Sequence, residues 1–153
     1  MSLTIRPACT EDCRELAPLL RAADLAEVRA EAGLDGLEAL LVSVERSEAA
    51  YAVDVDGKLG AIFGHRYVNL MANIGQVWCL TGHAMEKRPI AFLHSAMYVC
   101  DELLKKYGEL VACIDARYTK AVRFFTLVGF QMAPAVPLEP GGALFHLATM
   151  RRK

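Results

Sequence analysis

The sequence predicts a mixed α/β (α+β) protein built around one mostly antiparallel sheet, and two observations lead to that prediction. Apolar residues recur at helical spacing in the first third of the chain and again after Pro89, but they alternate in period two from Tyr51 to Phe63. In addition, a strand candidate, a long helix and a second strand candidate follow one another. That order demands a parallel pair, which we place near Val77 to Leu80 and near Val111 to Asp115.

Length and composition favour one domain spanning residues 1–153. The chain has 153 residues, of which 54% are hydrophobic and 23% charged, and this leaves no room for a second full domain. The formal net charge of -1 exerts no general attraction on nucleic acid or anionic lipid, so any ligand has to be recognised locally. We expect no nucleic-acid partner and no membrane partner.

The cysteines and the N-terminus favour a reducing cytoplasm. The five cysteines form no CxxC pair and no Cys/His grouping at zinc spacing, so we expect reduced thiols and no metal site. The opening "MSLTIRPACTED" lacks a basic region followed by a long apolar run, and no stretch is apolar for long enough to span a bilayer.

The first third of the chain reads as a short strand followed by helices. "LTIRP" is a strand candidate that ends at Pro7, and Thr10 is placed to cap the next helix. Asp24 and Glu27 fit the capping-box pattern of a second helix. After a break from Gly33 to Gly36, leucines at helical spacing predict a third helix.

The remainder predicts a hairpin and then alternating strands and helices. Asp56-Gly57 is a two-residue hairpin turn between two alternating strands, and "IGQVWCL" is the next strand. A long helix begins at Pro89 and reaches about Tyr107, and "LVACID", a short helix, and strands around Phe130 and in "ALFHLAT" follow. The predicted buried stripe of the long helix consists of Ile90, Leu93, Met97, Cys100, Leu104 and Tyr107.

Two short motifs resemble a known superfamily. In "YTKAVRFFTLVGFQM", Ala121, Phe124, Gly129 and Phe130 match the closing motif of the GNAT superfamily of acyl-CoA-dependent N-acyltransferases. Between a strand and the long helix, "CLTGHA" supplies Gly82 and Ala84 at the spacing of the superfamily's other signature, although Cys79 stands at its leading position. The resemblance covers nearly the whole chain. It implies a GNAT-like domain with helices on both faces of a twisted sheet and with the parallel pair splayed at one end.

The resemblance also implies that acetyl-CoA is a cosubstrate and that an amine of unknown identity is the acceptor. A glycine-containing strand-to-helix turn can direct backbone N–H groups at a pyrophosphate, and basic side chains can add charge-assisted contacts. The residues predicted to contact the acyl-CoA are Leu80, Gly82, His83, Ala84, Lys87, Arg88, Ile90 and Phe125.

A narrower resemblance suggests a different function. "LTIRP", "VWCLTGHA" and "LLKKYGEL" followed by "RFFTLVGF" are similar to the GNAT-like internal virion proteins of short-tailed phages. This likeness implies a structural protein with a degenerate cleft, associated with virions and with virion proteins or a second copy of the chain as partners. The two alternatives, an N-acetyltransferase and a structural virion component, stay open at this point.

The catalytic groups expected of the superfamily are not obvious in the sequence. Phe125 occupies the position of the superfamily's tyrosine and has no hydroxyl, and no Asp or Glu occurs between residues 57 and 85, where the third and fourth strands lie. The remaining candidates are His65, His83 and Tyr118, although the sequence favours surface roles for the two histidines and a packing role for Tyr118. We therefore expect any transferase rate to be slow.

Overall fold

The computed structural model describes residues 3–139 and 141–152, so both ends of the predicted 1–153 domain lie outside the described residues. The strands are β1 (Leu3–Pro7), β2 (Ala49–Val55), β3 (Lys58–Asn69), β4 (Ile74–Thr81), β5 (Glu109–Asp115), β6 (Gln131–Met132), β7 (Val136–Leu138) and β8 (Ala143–Arg151). The helices are α1 (Thr10–Leu16), α2 (Ala22–Ala32), α3 (Gly36–Arg46), α4 (Pro89–Leu103) and α5 (Thr119–Val128), with short 3₁₀ helices at Ala17–Leu19 and His83–Lys87.

All of these strands belong to one sheet, and its topology confirms the predicted fold class. The strand order is β1-β2-β3-β4-β5-β8-β6, with β7 also paired to β8. The only parallel pair among the described strands is β4 with β5, and it extends over three residue pairs, from Ile74–Glu109 to Gln76–Val111. Beyond Gln76 and Val111 the two strands separate, so the predicted splay is present at their C-terminal ends.

Helices cover both faces of the sheet, as predicted. On one face, α1 and α3 pack over a core that includes Leu16, Leu40 and Ile62. On the other face, α4 and α5 cover a second core around Tyr107 and Leu110. No helix in the described part of the chain is long and apolar enough to cross a membrane.

The turn between β2 and β3 has the conformation that its sequence predicts. Asp56 has a φ of 51° and Gly57 a φ of 83°, and positive φ at both central residues is the requirement of a type I′ hairpin turn. The turn holds β2 and β3 in antiparallel register from Val55–Lys58 to Ala49–His65.

The predicted limits of α2 were wrong. The helix begins at Ala22, and its N-cap is Arg21. Asp24 therefore lies inside the first turn, and it does not form a capping box with Glu27. An acidic residue followed by Glu three positions later occurs both in capping boxes and along one face of a helix interior, so the pattern alone does not distinguish them.

The predicted stripe of α4 was wrong at Ile90 and Met97. Ile90 is 69% exposed and Met97 is 41% exposed, whereas Cys100 is buried and Leu93 packs against the core as predicted. The face of the helix that meets the core also includes Ala96, so the predicted stripe follows the edge of the buried face. The helix also ends at Leu103, and the buried Tyr107 lies beyond it.

Tyr107 is the largest fully buried side chain, and a glycine makes room for its ring. A Cβ built on Gly75 of β4 would lie 2.5 Å from the ring, a distance that real Cβ atoms essentially never show. The Tyr107 hydroxyl lies 2.8 Å from Nδ1 of the buried His65, so the ring cannot move away without losing that hydrogen bond.

We expect Gly75→Ala to lower the free energy of unfolding by about 1–3 kcal/mol, because the added methyl overpacks a well-filled core. Urea denaturation followed by circular dichroism measures the effect. Gly108→Ala is the matched control, since its Cβ would come no closer than 3.6 Å to a neighbouring atom. Equal stability of the two variants would contradict this account of Gly75.

Candidate functional site

The separation of β4 from β5 opens a cleft in the middle of the sheet. Its volume is about 600 Å³, which is within the range typical of small-molecule sites. The walls come from β4 and β5, from one face of α2, from α3, from Arg66 of β3, from the start of α4 and from α5. Two of the predicted contact residues, Leu80 and Phe125, line this cleft, and so does the catalytic candidate Tyr118.

Three carboxylates of α2 line the cleft. Asp24, Glu27 and Glu31 are spaced by three and four residues, which places them on one face of a helix. Asp24 is nearly inaccessible to solvent, and Glu27 and Glu31 are half-buried. The cleft therefore contains acidic groups even though β3 and β4 supply none.

Asp24 connects α2 to the end of β4. Its Oδ1 accepts the backbone N–H of Thr81 at 3.2 Å, and its Oδ2 accepts the Thr81 hydroxyl at 3.1 Å and Nε of Arg21 at 3.1 Å. The backbone N–H of Arg21 also donates to the carbonyl of Thr81 at 3.1 Å. Burial raises the pKa of Asp24, and the Arg21 charge and the Thr81 hydrogen bonds oppose that rise.

Glu27 lies against the end of β5 and is the best candidate for a general base. Its Oε2 accepts the backbone N–H of Asp115 at 3.0 Å, which fixes the carboxyl at the point where the strand ends. Burial, assisted by the nearby Asp24, raises the pKa of Glu27 to about 7. A carboxylate with a pKa near neutrality can accept a proton efficiently at physiological pH.

At the closed end of the cleft, where β4 and β5 are still paired, the charged residues Arg66 and Glu31 line the wall. Arg66 of β3 donates from Nε to Oε1 of Gln76 on β4, at 3.0 Å. Burial raises the pKa of Glu31, and the charge of Arg66 opposes that rise. The charges of Arg66 and Glu31 therefore interact through space, although the two side chains form no ion pair within 4.0 Å in the described part of the chain.

Aromatic rings form the wall of the cleft opposite α2. Phe124 stacks on Phe92 of α4 with a centroid distance of 4.9 Å, and Phe125 meets Phe130 edge to face at 5.2 Å. Both Phe124 and Phe125 also border a small apolar pocket of about 70 Å³ on the α4 side. Phe124 and Phe125 therefore both line the cleft and both pack against the core on the α4 side.

The structure places neither histidine candidate in the cleft. The surface reading of His65 was wrong, because this residue is 5% exposed and bonded to Tyr107, and burial lowers its pKa. His83 is exposed, and its Nδ1 lies 3.7 Å from Oε1 of Glu86. Neither is among the residues that line the cleft.

Tyr118 is the one catalytic candidate from the sequence that reaches the cleft. It is the N-cap of α5, and the Arg21 guanidinium lies 5.5 Å from the centre of its ring. Its hydroxyl is 3.5 Å from Oδ2 of Asp24, a long contact. Burial and the Asp24 charge raise the pKa of this phenol, so it stays neutral at physiological pH.

The predicted phosphate loop lies at the edge of the cleft. The N–H of Gly82 is bound to the carbonyl of Gly60 at 2.8 Å, and Arg88 donates two hydrogen bonds to Asp56. Lys87 and His83 are exposed, as is Ile90 in the first turn of α4. Ala84 is half-buried and packs against the core beneath the loop.

Cys79 has no nucleophilic character in this environment. The thiol lines the cleft, and burial raises its pKa to about 12, so it is protonated at neutral pH. Within residues 3–139 and 141–152, no group of three or more His, Cys, Asp or Glu side chains is placed to hold a metal ion.

Comparison with known proteins identifies the fold as that of GNAT N-acetyltransferases. A spermidine N-acetyltransferase SpeG chimera from Vibrio cholerae and hSSAT superposes with a TM-score of 0.72 and 14% identity, covering 99% of this chain and 96% of that one. An acetyltransferase (GNAT family) from Bacillus anthracis superposes with a TM-score of 0.73 and 11% identity, covering 97% and 94%. Aminoglycoside acetyltransferase AAC(6')-Ib in complex with coenzyme A superposes with a TM-score of 0.70 and 15% identity, covering 99% of this chain and 95% of that one.

These similarities are structural. No protein-family model matches the sequence. No curated protein matches it either. At such low identity a shared fold does not transfer an activity, so the function has to be argued from the cleft itself.

We expect the Glu27→Gln variant to lose part of the pH dependence of stability. Because the pKa of Glu27 is raised from 4.5 to about 7, its protonated form stabilises the fold fully below about pH 4.5, and that stability is lost as the pH rises through about 7. The fall in unfolding free energy between pH 5 and pH 8 should be smaller in the variant, by on the order of 1–3 kcal/mol. Urea denaturation at the two pH values measures this difference.

Glu15→Gln, at an exposed position of α1, is the control for the loss of one carboxylate. If Glu27→Gln and Glu15→Gln change the pH dependence equally, the raised pKa of Glu27 is contradicted.

Proposed function

We propose that this protein is an acetyl-CoA-dependent N-acetyltransferase that moves an acetyl group to a primary amine in the cytoplasm. The observation that carries the proposal is the position of Glu27, a half-buried carboxylate with a pKa of about 7 in the cleft between two splayed strands. A protonated amine has to lose a proton before it can attack a thioester, and Glu27 is suited to accept it.

The residues around the cleft fit an acyl-CoA. Lys87, Arg88 and the first turn of α4 would hold its phosphates, because basic side chains and a helix N-terminus both favour anions. Phe124 and Phe125 would contact its apolar arm. Acetyl-CoA bound in this way would supply the thioester that the acceptor amine attacks.

The reaction requires one proton acceptor from the protein. The amine nitrogen forms a bond to the carbonyl carbon, the carbon–sulfur bond breaks, and the electron pair of that bond leaves with the sulfur. Glu27 takes the ammonium proton through Oε1 or Oε2 before the attack and later returns it to solvent. The nitrogen loses its second proton as the amide forms, and that proton passes to the departing thiolate or to solvent. Holding the two reactants together supplies further acceleration by itself.

The lack of a hydroxyl at Phe125 lowers the reaction rate less than the lack of a general base would. A typical alkyl ammonium has a pKa of about 10.4 and is almost fully protonated at pH 7, whereas a thiol of pKa about 8.5 leaves readily as a thiolate. Tyr118 is neutral and lies in the cleft, but its raised pKa makes it a poor acid. We therefore assign proton transfer from the amine to Glu27 and no general-acid role to Tyr118.

We expect Glu27→Gln to lower kcat/KM for the amine by about 10²–10⁴-fold, because general bases contribute that much. In the wild type, kcat/KM should rise through pH 7 and then level off, whereas in the variant it should keep rising toward the pKa of the amine. Release of free CoA over pH 5.5–9.5 measures both profiles.

Glu15→Gln is again the matched control, since that residue is exposed on α1 and remote from the cleft. A Glu27→Gln variant with wild-type rates would contradict the assignment of the base. If acetyl-CoA does not bind the wild type at all, the transferase proposal fails and the structural, virion-type alternative suggested by the sequence is favoured.

We also expect Arg88→Ala to weaken acetyl-CoA binding by a few-fold to about tenfold, because it removes one charge-assisted contact at the first turn of α4. The loss is moderated by Asp56, which already binds this guanidinium. Calorimetric titration with acetyl-CoA measures the change. Arg123→Ala, on the exposed side of α5, serves as control, and equal affinities of the two variants would refute the placement of the phosphates.

A further inference from the structure

Arg66 is a half-buried cation in the cleft. It lies on β3, in register with Gln76 of β4, and Gln76 is in turn in register with Val111 of β5. The three residues therefore lie side by side across the sheet, at the last point where β4 and β5 are paired. Gln76 accepts only the Nε of Arg66, and the guanidinium has four further N–H donors.

Arg66 differs from every other arginine of the described chain. No carboxylate lies within 4.0 Å of its guanidinium in residues 3–139 and 141–152, although it is withdrawn from solvent. Most of the other arginines bind a carboxylate: Arg6, Arg14, Arg21, Arg88, Arg117 and Arg151. Arg152 donates to backbone carbonyls. The remaining three, Arg29, Arg46 and Arg123, are exposed to solvent. A guanidinium that is partly desolvated without an anion is costly, and such a cost is typical of a binding site.

Glu31 makes no ion pair with Arg66 within 4.0 Å in the described part of the chain. Burial raises the pKa of Glu31, and the charge of Arg66 opposes that rise. Gln76, which holds the Nε, is neutral. The fixed guanidinium therefore presents a planar set of donors to the cleft, and this geometry matches a carboxylate.

The base and the cation lie at different depths of the cleft. Glu27 contacts Asp115 at the open end, whereas Arg66 is in register with Val111 at the closed end. Four strand residues separate these levels, or about 13 Å along β5. Glu31 lies one turn further along α2 than Glu27, and its charge interacts with Arg66, so α2 extends from the level of Glu27 toward that of Arg66.

We propose that the acceptor is a small amine that also carries a carboxylate, with its amine at Glu27 and its carboxylate bound by the Arg66 guanidinium. This inference rests on the proposed transferase function and adds the chemical class of the acceptor. A diamine is disfavoured, because its second cation would meet Arg66. Arg46, at the end of α3, also lines the cleft and adds positive charge on the same side.

The test compares acceptors that differ only in the carboxylate: glycine and methylamine, 4-aminobutyrate and propylamine, lysine and 1,5-diaminopentane. We expect at least one carboxylate-bearing amine to exceed its partner at least tenfold in kcat/KM. Arg66→Gln should raise the KM of that amine at least tenfold with little change in kcat, and leave its partner unaffected. Arg66→Lys keeps the charge but loses the planar donors, so its KM for that amine should lie between the values of the wild type and Arg66→Gln.

Arg29→Gln is the control, because this arginine lies on the exposed side of α2, and the melting temperature of each variant reports on folding. Equal use of both members in all three pairs, or an unchanged KM in Arg66→Gln, would overturn the inference.

If no amine is acetylated, the transferase proposal fails, and calorimetry with the same three amino acids decides the role of Arg66 independently. Binding that Arg66→Gln weakens at least tenfold would support a carboxylate site, and no binding to the wild type would overturn it.

Discussion

The cleft depends on hydrogen bonds from α2 to backbone groups that the separation of β4 and β5 leaves without a strand partner. Thr81 and Asp115 are the last residues of these strands, and each has its N–H directed away from the antiparallel neighbour that pairs with it. Asp24 accepts the first N–H and Glu27 the second. An unpaired buried N–H destabilises a fold by about 1–3 kcal/mol, so the two α2 carboxylates stabilise the separated strand ends by accepting these N–H groups.

The same arrangement explains why the pKa values of Asp24 and Glu27 are raised. A side chain that reaches a strand end inside the sheet has to leave water, and the loss of hydration raises the pKa of both Asp24 and Glu27. Asp24 is compensated by Arg21 and Thr81, whereas Glu27 has one backbone donor. The structural role of Glu27 and its suitability as a base thus have one origin, and its raised pKa reduces stability at the pH where a base would act.

The fold was predictable from the sequence to a greater extent than the site. Period-two alternation, the Asp56-Gly57 turn and the strand–helix–strand order each have a local physical cause, and together they led to the correct sheet. The site depends on a long-range contact, because Glu27 meets a strand end 88 residues away. The signal that pointed to it was the spacing of Asp24, Glu27 and Glu31 on one helical face, which the capping-box interpretation obscured. Burial of His65 likewise depends on Tyr107, 42 residues away.

The chemistry of this cleft therefore follows from the helix that covers the splayed strands, and the similarity of the sheet to GNAT N-acetyltransferases does not determine it. A search of β3 and β4 for a carboxylate finds none, and Phe125 lacks the expected hydroxyl, yet the described cleft contains Glu27, a carboxylate whose pKa is raised to about 7. Because the α2 carboxylates both bind the strand ends and line the cleft, a change in the sequence of α2 alters the stability of the fold and the charge of the cleft together. Arg66 binds neither strand end, so we expect its proposed effect on ligand binding to be separable from its effect on the fold.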